Sequence, residues 1–147
     1  MEIVLYQPEI AGNVGAIIRL AANSGVSLNL IKPFGFELQE NKIRRAGLDY
    51  HDLSNTKTYN SWEEFIETNI NKSICCLSSK GTDSYWDTNL NQYDFLLFGP
   101  ESIGLPDEIL SSYKTITIPM KENSRSINLA NSVGIVVFES LRQASVQ

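Results

Sequence analysis

The segment Asp94-Phe95-Leu96-Leu97-Phe98-Gly99-Pro100-Glu101-Ser102-Ile103-Gly104-Leu105-Pro106 indicates both the fold class and the place where function is expected. Its first part, Asp94–Phe98, is a short apolar run that predicts a buried strand. The eight residues that follow include two glycines and two prolines, whereas an ordinary connection takes about two to six residues. Such a loop at a strand end is typical of a binding site, although a plain strand-to-helix connection is the alternative. Glu101, at its centre, is suited to accept hydrogen bonds or to balance a cation.

Short apolar segments alternate with helical patterns along the rest of the chain. The apolar spacing between Val14 and Ala21 predicts a helix that ends near Gly25. This alternation predicts an α/β domain with a mainly parallel sheet, and the absence of a linker favours a single domain over residues 1–147. The other predicted strands are Glu2–Tyr6, Leu28–Ile31, Ser73–Leu77 and Thr115–Ile118. The other predicted helices are Lys42–Ala46, Trp62–Thr68 after a capping box at Ser61, a short one from Pro106, and a last one with Ala130, Val133, Val137 and Leu141 on one stripe.

The last predicted helix is apolar over more than one face. Ile135, Val136 and Phe138 add apolar side chains between the positions of its stripe. A helix that is apolar over such an arc is either deeply buried or packed against another subunit. The sequence leaves both interpretations open.

Composition excludes several classes of protein. Of the 147 residues, 42% are hydrophobic and 20% are charged, which is typical of a globular protein. No apolar run is long enough for a membrane helix, and no signal peptide is visible, so we expect a cytoplasmic protein. Cys75 and Cys76 are adjacent and His51 is the single histidine. This pattern predicts reduced, buried thiols and no metal site.

The distribution of basic residues bears on nucleic-acid binding. The net charge of −5 does not favour an RNA ligand, because phosphates attract lysine and arginine. Basic residues nevertheless cluster locally, as Lys42, Arg44 and Arg45 and again as Lys121 and Arg125. Any RNA-binding surface is expected to include these clusters.

Two further polar segments are expected at strand ends, where open α/β sheets bind ligands. Gly12-Asn13-Val14-Gly15 leads to Arg19; here Asn13 is either a helix N-cap or a functional side chain, and Arg19 is either solvated or functional. Ile118-Pro119-Met120 leads to Ser124–Asn131, where Ser126 and Asn128 are candidate N-caps in a segment more polar than capping requires. The sequence contains no phosphate-binding loop, dinucleotide fingerprint or nucleophile elbow.

Together, the three segments resemble the motifs of the SPOUT methyltransferases, in particular those of their TrmH-like, 2′-O-methylating branch. Asn13–Arg19 is similar to the first motif, N-x-G-x-x-x-R, and Phe98–Pro106 to the second. Ile118-Pro119-Met120 with Ser126-Ile127-Asn128-Leu129 is similar to the third. Arg44–His51 and the short length narrow the resemblance to the TrmL-like (YibK-like) group of tRNA wobble-nucleotide (cytidine/uridine) 2′-O-methyltransferases. The similarity extends from about Ile3 to Gln143 and leaves no room for an additional RNA-binding domain.

The resemblance implies a single-domain SPOUT fold with a deep trefoil knot near the C terminus, although knots are essentially absent elsewhere. It also implies S-adenosyl-L-methionine as cofactor, S-adenosyl-L-homocysteine as product, no metal, tRNA as partner and a homodimer with the active site at the interface. The implied catalytic residues are Arg19, Asn13, Glu101, Ser126 and Asn128. The implied cofactor-binding residues are Leu77, Gly99, Glu101, Gly104, Ile118, Met120, Ser126 and Leu129. The implied RNA-binding residues are Arg19, Lys42, Arg44, Arg45, Lys121 and Arg125.

The chemistry of arginine limits what Arg19 can do. A guanidinium only donates hydrogen bonds, so we expect Arg19 to hold a phosphate or to stabilise a developing alkoxide rather than to take a proton. Asn13 is expected to orient the ribose or Arg19, and Glu101 to fix its loop. The alternatives are methylation of another RNA such as rRNA, a non-catalytic RNA-binding protein of the same fold and, less favoured without a phosphate loop, a nucleotide-binding regulatory module.

Overall fold

A computed structural model of the chain describes residues 1–37 and 53–146. The predicted helix Lys42–Ala46 and the segment Arg44–His51 lie outside the described residues, and so do the candidate RNA-binding residues Lys42, Arg44 and Arg45. Every other candidate site residue lies within the described ranges.

One parallel sheet organises the described residues. Its strands are β1 (Glu2–Tyr6), β2 (Leu28–Ile31), β3 (Thr56–Tyr59), β4 (Ile74–Leu77), β5 (Asp83–Ser84), β6 (Phe95–Phe98) and β7 (Lys114–Thr117). Their order across the sheet is β3-β2-β1-β6-β4-β7-β5, and each pair of neighbours is parallel. Because parallel neighbours need crossover connections, helices pack on the faces of the sheet.

Four α-helices are found in the described ranges, and local signals fix their ends. They are α1 (Ala11–Ser24), α2 (Trp62–Thr68), α3 (Asp107–Ser112) and α4 (Leu129–Ser145). α1 ends at Gly25, whose φ of 72° is the left-handed conformation that glycine adopts without a steric penalty. α2 begins after Ser61, whose hydroxyl oxygen accepts a hydrogen bond from the backbone N–H of Glu64 at 3.1 Å, as the capping box predicts.

Side chains of the central strands alternate between two cores. On one face, Ile3 and Leu5 of β1 pack with buried side chains of α1 and α4. On the opposite face, Val4 packs in a second core with Phe65 of α2 and Ile109 of α3. This alternation, with both faces covered, is the arrangement expected of a parallel sheet between helical layers.

The structure confirms the predicted α/β class and parallel sheet. β1, β2 and α2 have the predicted bounds, and β4, β6 and β7 each lie within one residue of them. The helix predicted from Pro106 begins one residue later, because Pro106 is its N-cap. The predictions missed β3 and β5, which lie at the sheet edges; β3 is polar and largely exposed, so it has no hydrophobic pattern to detect. The trefoil knot stays a prediction.

The apolar arc of α4 is divided between core and surface. Val133, Val136 and Val137 are buried, whereas Ile135 and Phe138 are 37% and 58% exposed. Deep burial of the whole arc within one chain is therefore wrong. Contact of the exposed face with another subunit stays a prediction.

The two cysteines have the environment that the sequence predicts. Cys75 and Cys76 are free thiols buried in β4. Burial raises the pKa of each thiol to about 12. Because the thiolate is the reactive form, both side chains serve as small core residues at neutral pH.

None of the described helices combines the length and apolar character needed to cross a membrane. Within the same residues, no three His, Cys, Asp or Glu side chains are grouped so that they could hold a metal ion.

Candidate active site

A cavity of about 390 Å³ opens at the carboxyl ends of β4, β6 and β7. Leu77, at the end of β4, pairs with Phe98 of β6 and with Ile116 of β7. The loops that leave these three strands therefore emerge side by side. This is the edge at which open α/β sheets bind ligands, and the volume falls in the range of small-molecule sites, about 300 to 1,000 Å³.

The carboxylate of Glu101 joins the loop after β6 to the start of α1. Its Oε2 accepts a hydrogen bond from the backbone N–H of Glu9 at 2.8 Å, and its Oε1 accepts one from the backbone N–H of Ile10 at 3.1 Å. Oε1 also accepts a hydrogen bond from Nδ2 of Asn13 at 3.1 Å. Hydrogen bonds to an ionised acceptor are about twice as strong as neutral ones. Since Ile10 is the N-cap of α1, the negative charge also interacts favourably with the helix dipole.

The Asn13 side chain extends this network to α4. Asn13 is buried, and its Oδ1 accepts a hydrogen bond from Nδ2 of Asn128 at 2.9 Å. Oδ1 of Asn128 in turn accepts a hydrogen bond from the backbone N–H of Asn131 at 3.2 Å, so Asn128 is the N-cap of α4. Asn13 is not a cap, because α1 begins at Ala11 with Ile10 in the cap position. Asn128 both caps its own helix and links it to α1.

A reciprocal contact strengthens the junction of the two loops. The carboxylate of Glu9 accepts hydrogen bonds from the backbone N–H and the hydroxyl of Ser102, each at 2.7 Å. These hydrogen bonds, that of the hydroxyl first, lower the pKa of Glu9. Each loop thus presents a carboxylate to the donors of the other, which holds both loops in one arrangement.

The loop between Gly99 and Leu105 folds back on itself. The backbone N–H of Gly104 donates to the carbonyl of Pro100 at 3.0 Å, and Gly104 has a φ of 71°. A Cβ at position 99 would lie 2.4 Å from the backbone nitrogen of Leu105. Glycine at both positions is therefore required by the shape of the loop itself.

The structure brings most of the predicted site residues to the cavity. Among the catalytic candidates, Arg19 is not one of the described residues that line it. Arg19 is exposed on α1, about 9 Å along the helix axis from Asn13. Lys121 and Arg125 are exposed between β7 and α4 and are also outside the lining. The lining includes the other catalytic candidates, Asn13, Glu101, Ser126 and Asn128, and every cofactor candidate, namely Leu77, Gly99, Glu101, Gly104, Ile118, Met120, Ser126 and Leu129.

The sequence-based predictions missed the turn that follows β4. Ser78, Ser79 and Lys80 line the cavity, and the backbone N–H of Gly81 closes their turn by donating to the carbonyl of Ser78 at 3.0 Å. The available signal was position, because Ser78-Ser79-Lys80-Gly81 directly follows a predicted strand. Ile10, 52% exposed, is a further lining residue that was not predicted.

Comparison with known proteins gives the class: the chain belongs to the SpoU rRNA Methylase family, whose model matches residues 1–138. A tRNA (cytidine(34)-2′-O)-methyltransferase of Aeromonas hydrophila subsp. hydrophila is 46% identical over 146 residues, covering 97% of this chain and 94% of the relative. A solved structure described as giving insights into the 2-OH methylation of C/U34 on tRNA matches with a TM-score of 0.91 at 41% identity, covering 99% of this chain and 97% of that chain. An AdoMet-bound rRNA methyltransferase of Sinorhizobium meliloti matches with a TM-score of 0.83 at 25% identity, covering 96% of this chain and 55% of that chain. The resemblance to SPOUT methyltransferases is thereby confirmed.

The Glu101 network leads to a stability prediction. Glu101→Ala removes the acceptor of two backbone N–H groups and of the Asn13 amide, so we expect the free energy of unfolding to fall by about 2 kcal/mol. Urea denaturation measures the change. Glu67→Ala, at an exposed position of α2, is the matched control and should change the value by less than about 0.5 kcal/mol. Equal stabilities for the two variants would contradict the role of Glu101 in holding the loops.

Proposed function

We propose that this protein is a tRNA 2′-O-methyltransferase that transfers a methyl group from S-adenosyl-L-methionine to the ribose of the wobble nucleotide, cytidine or uridine. The proposal rests on the cavity at the strand ends, where the three motifs meet and are joined through Glu101, Asn13 and Asn128. The substrate follows from the relatives, since the Aeromonas protein is named for cytidine 34 of tRNA and the similar solved structure concerns C/U34. An enzyme that acts on tRNA is expected in the cytoplasm.

The cavity fits S-adenosyl-L-methionine in size and in chemistry. Leu77, Ile118 and Leu129 offer apolar contacts, and the loop at Gly99 offers backbone groups. A cleft that combines apolar contacts with placed polar groups suits an adenosine. The Sinorhizobium relative is described as AdoMet bound. When bound, the cofactor supplies a methyl group that its sulfonium already activates.

The chain itself has to align a ribose hydroxyl and assist the loss of its proton. Asn13 uses its amide nitrogen for Glu101 and its oxygen for Asn128, so we assign it a positioning role between α1 and α4. Ser126 lines the cavity, where its hydroxyl is able to donate to and accept from the ribose. Arg19, which can only donate, would hold a phosphate or stabilise the alkoxide as it forms.

We infer a homodimer that uses the exposed face of α4. Ile135 and Phe138 present apolar surface there, and α4 packs along α1. A dimer through this face places α1, and with it Arg19, beside the interface. Arg19 lies outside the described lining of the cavity in its own chain. In such a dimer it would be close to an active site at the interface. The exposed Lys121 and Arg125 would contribute to the tRNA surface together with Lys42, Arg44 and Arg45.

Ribosomal RNA is a second candidate substrate. The family model is named for rRNA methylation, and the Sinorhizobium relative is an rRNA methyltransferase. The Aeromonas tRNA enzyme favours tRNA, because its identity is higher and the match covers nearly the whole of both chains. A non-catalytic RNA-binding protein of the same fold is disfavoured because the cavity is large enough for a small-molecule cofactor and its lining includes Asn13, Glu101, Ser126 and Asn128.

Methylation of bulk tRNA with labelled S-adenosyl-L-methionine tests the function. We expect label in tRNA and, after nuclease digestion, in the 2′-O-methylated cytidine or uridine of the wobble position. Ribosomal RNA is assayed in parallel, and label confined to it would contradict the tRNA assignment. No label in either RNA, with no binding of S-adenosylhomocysteine at millimolar concentration by calorimetry, would favour the non-catalytic alternative.

The role of Arg19 has its own test. Arg19→Ala is expected to lower turnover by about a hundredfold or more, because it removes a donor that stabilises developing charge. Its Kd for S-adenosylhomocysteine should stay unchanged, since Arg19 lies outside the described lining of the cavity. Lys57→Ala, at an exposed position of β3, controls for the loss of a surface cation. Near-normal methylation by Arg19→Ala would remove this residue from the mechanism.

The inferred dimer is tested by Phe138→Glu. A carboxylate in the centre of an apolar interface is unfavourable, so the variant should sediment as a monomer where the wild-type protein sediments as a dimer. Ile70→Glu, also at an exposed apolar position but after α2 on the opposite side of the sheet, should leave the dimer intact. A Phe138→Glu variant that remains dimeric would show that this face of α4 does not form the interface.

A further inference from the structure

Lys80 is the only lysine or arginine among the described residues that line the cavity. Its turn is anchored by the backbone N–H of Lys80, which donates to Oγ of Ser78 at 3.2 Å. A Cβ at Gly81 would lie 2.5 Å from the carbonyl carbon of Ile116, so the turn is pressed against β7. The backbone therefore holds Lys80 at a fixed place on the cavity wall.

The side chain of Lys80 forms an ion pair with Asp107, but this pair is too exposed to explain why a lysine lines the cavity. Its Nζ lies 2.8 Å from Oδ1 of Asp107, and the two side chains are 63% and 87% exposed. Exposed pairs of this kind contribute little to stability. A lysine ammonium has three N–H donors, and Asp107 accepts from one of them. The remaining donors are suited to a second anion.

We propose that Lys80 binds the carboxylate of the methionine portion of S-adenosyl-L-methionine and so fixes that end of the cofactor. This inference rests on the proposed function, which supplies the cofactor. The charges in the cavity support it, because the other charged lining residue, Glu101, is engaged by N–H donors of the protein. Lys80 is the complementary charge for an anionic group that lies within the cavity.

The location of Lys80 favours the cofactor over an RNA phosphate. Lys80 lies on the wall of the cavity, three residues after Leu77, which is a candidate cofactor contact. Lys121 and Arg125 lie outside the lining and are better placed to meet a phosphate backbone. A ligand that fills the cavity would therefore bring its anion close to Lys80, beside the carboxylate of Asp107.

Calorimetry with two ligands tests the proposal on the full-length protein. S-adenosylhomocysteine carries the carboxylate, whereas decarboxylated S-adenosylhomocysteine keeps the amine and lacks it. Lys80→Met should weaken binding of the first ligand about tenfold or more, because a charge-assisted hydrogen bond is lost. Binding of the second ligand should be the same for wild-type protein and variant. Lys80→Arg should keep most of the affinity for the first.

Asp107→Asn is the matched control, since it removes the partner of Lys80 and leaves the proposed contact. It should bind S-adenosylhomocysteine at least as tightly as the wild-type protein does. Equal losses for both ligands in Lys80→Met would indicate a structural role and overturn the proposal. Unchanged S-adenosylhomocysteine affinity with a raised KM for tRNA would also overturn it and assign Lys80 to an RNA phosphate. If the wild-type protein bound neither ligand, the proposed function itself would fail.

Discussion

The carboxylate of Glu101 accepts hydrogen bonds from N–H groups that are far away in sequence, those of Glu9, Ile10 and the Asn13 side chain. Backbone N–H groups in an irregular loop have no ladder partners, and leaving them without an acceptor as they lose contact with water is costly. Glu101 accepts their hydrogen bonds. In the opposite direction, the carboxylate of Glu9 accepts hydrogen bonds from the backbone N–H and the hydroxyl of Ser102. The two loops therefore stabilise each other, and the shape of the cavity wall depends on that mutual support.

This contact exists because the sheet order makes β1 and β6 neighbours. Leu5 near the end of β1 pairs with Phe98 at the end of β6, so the loops that follow leave the sheet at the same level. β4 lies on the other side of β6, and β7 lies next to β4. Strands that are separate in the chain thus deliver the three motifs to one edge, where a single ligand can touch all of them.

The last helix connects the cavity to the rest of the molecule. Its first turn is capped by Asn128, whose amide also donates to Asn13. One of its faces fills the core through Val133 and Val137, while the other leaves Phe138 exposed. A displacement of α4 would therefore change the core, the cavity and the exposed apolar face together.

Local interactions account for what the sequence determined by itself. Short, largely apolar runs defined β1 and β2, the capping box at Ser61 defined the start of α2, and Gly25 ended α1. Each of these signals involves residues close together in the chain. The motif resemblance indicated three segments that contribute residues to the cavity. The tertiary structure alone decided that the Asn13 side chain joins Glu101 to Asn128, contacts that span 88 and 115 positions. It also placed Lys80 on the cavity wall and Arg19 outside the described lining. Such outcomes depend on which strands become neighbours, and no periodicity within a short segment of sequence contains that information.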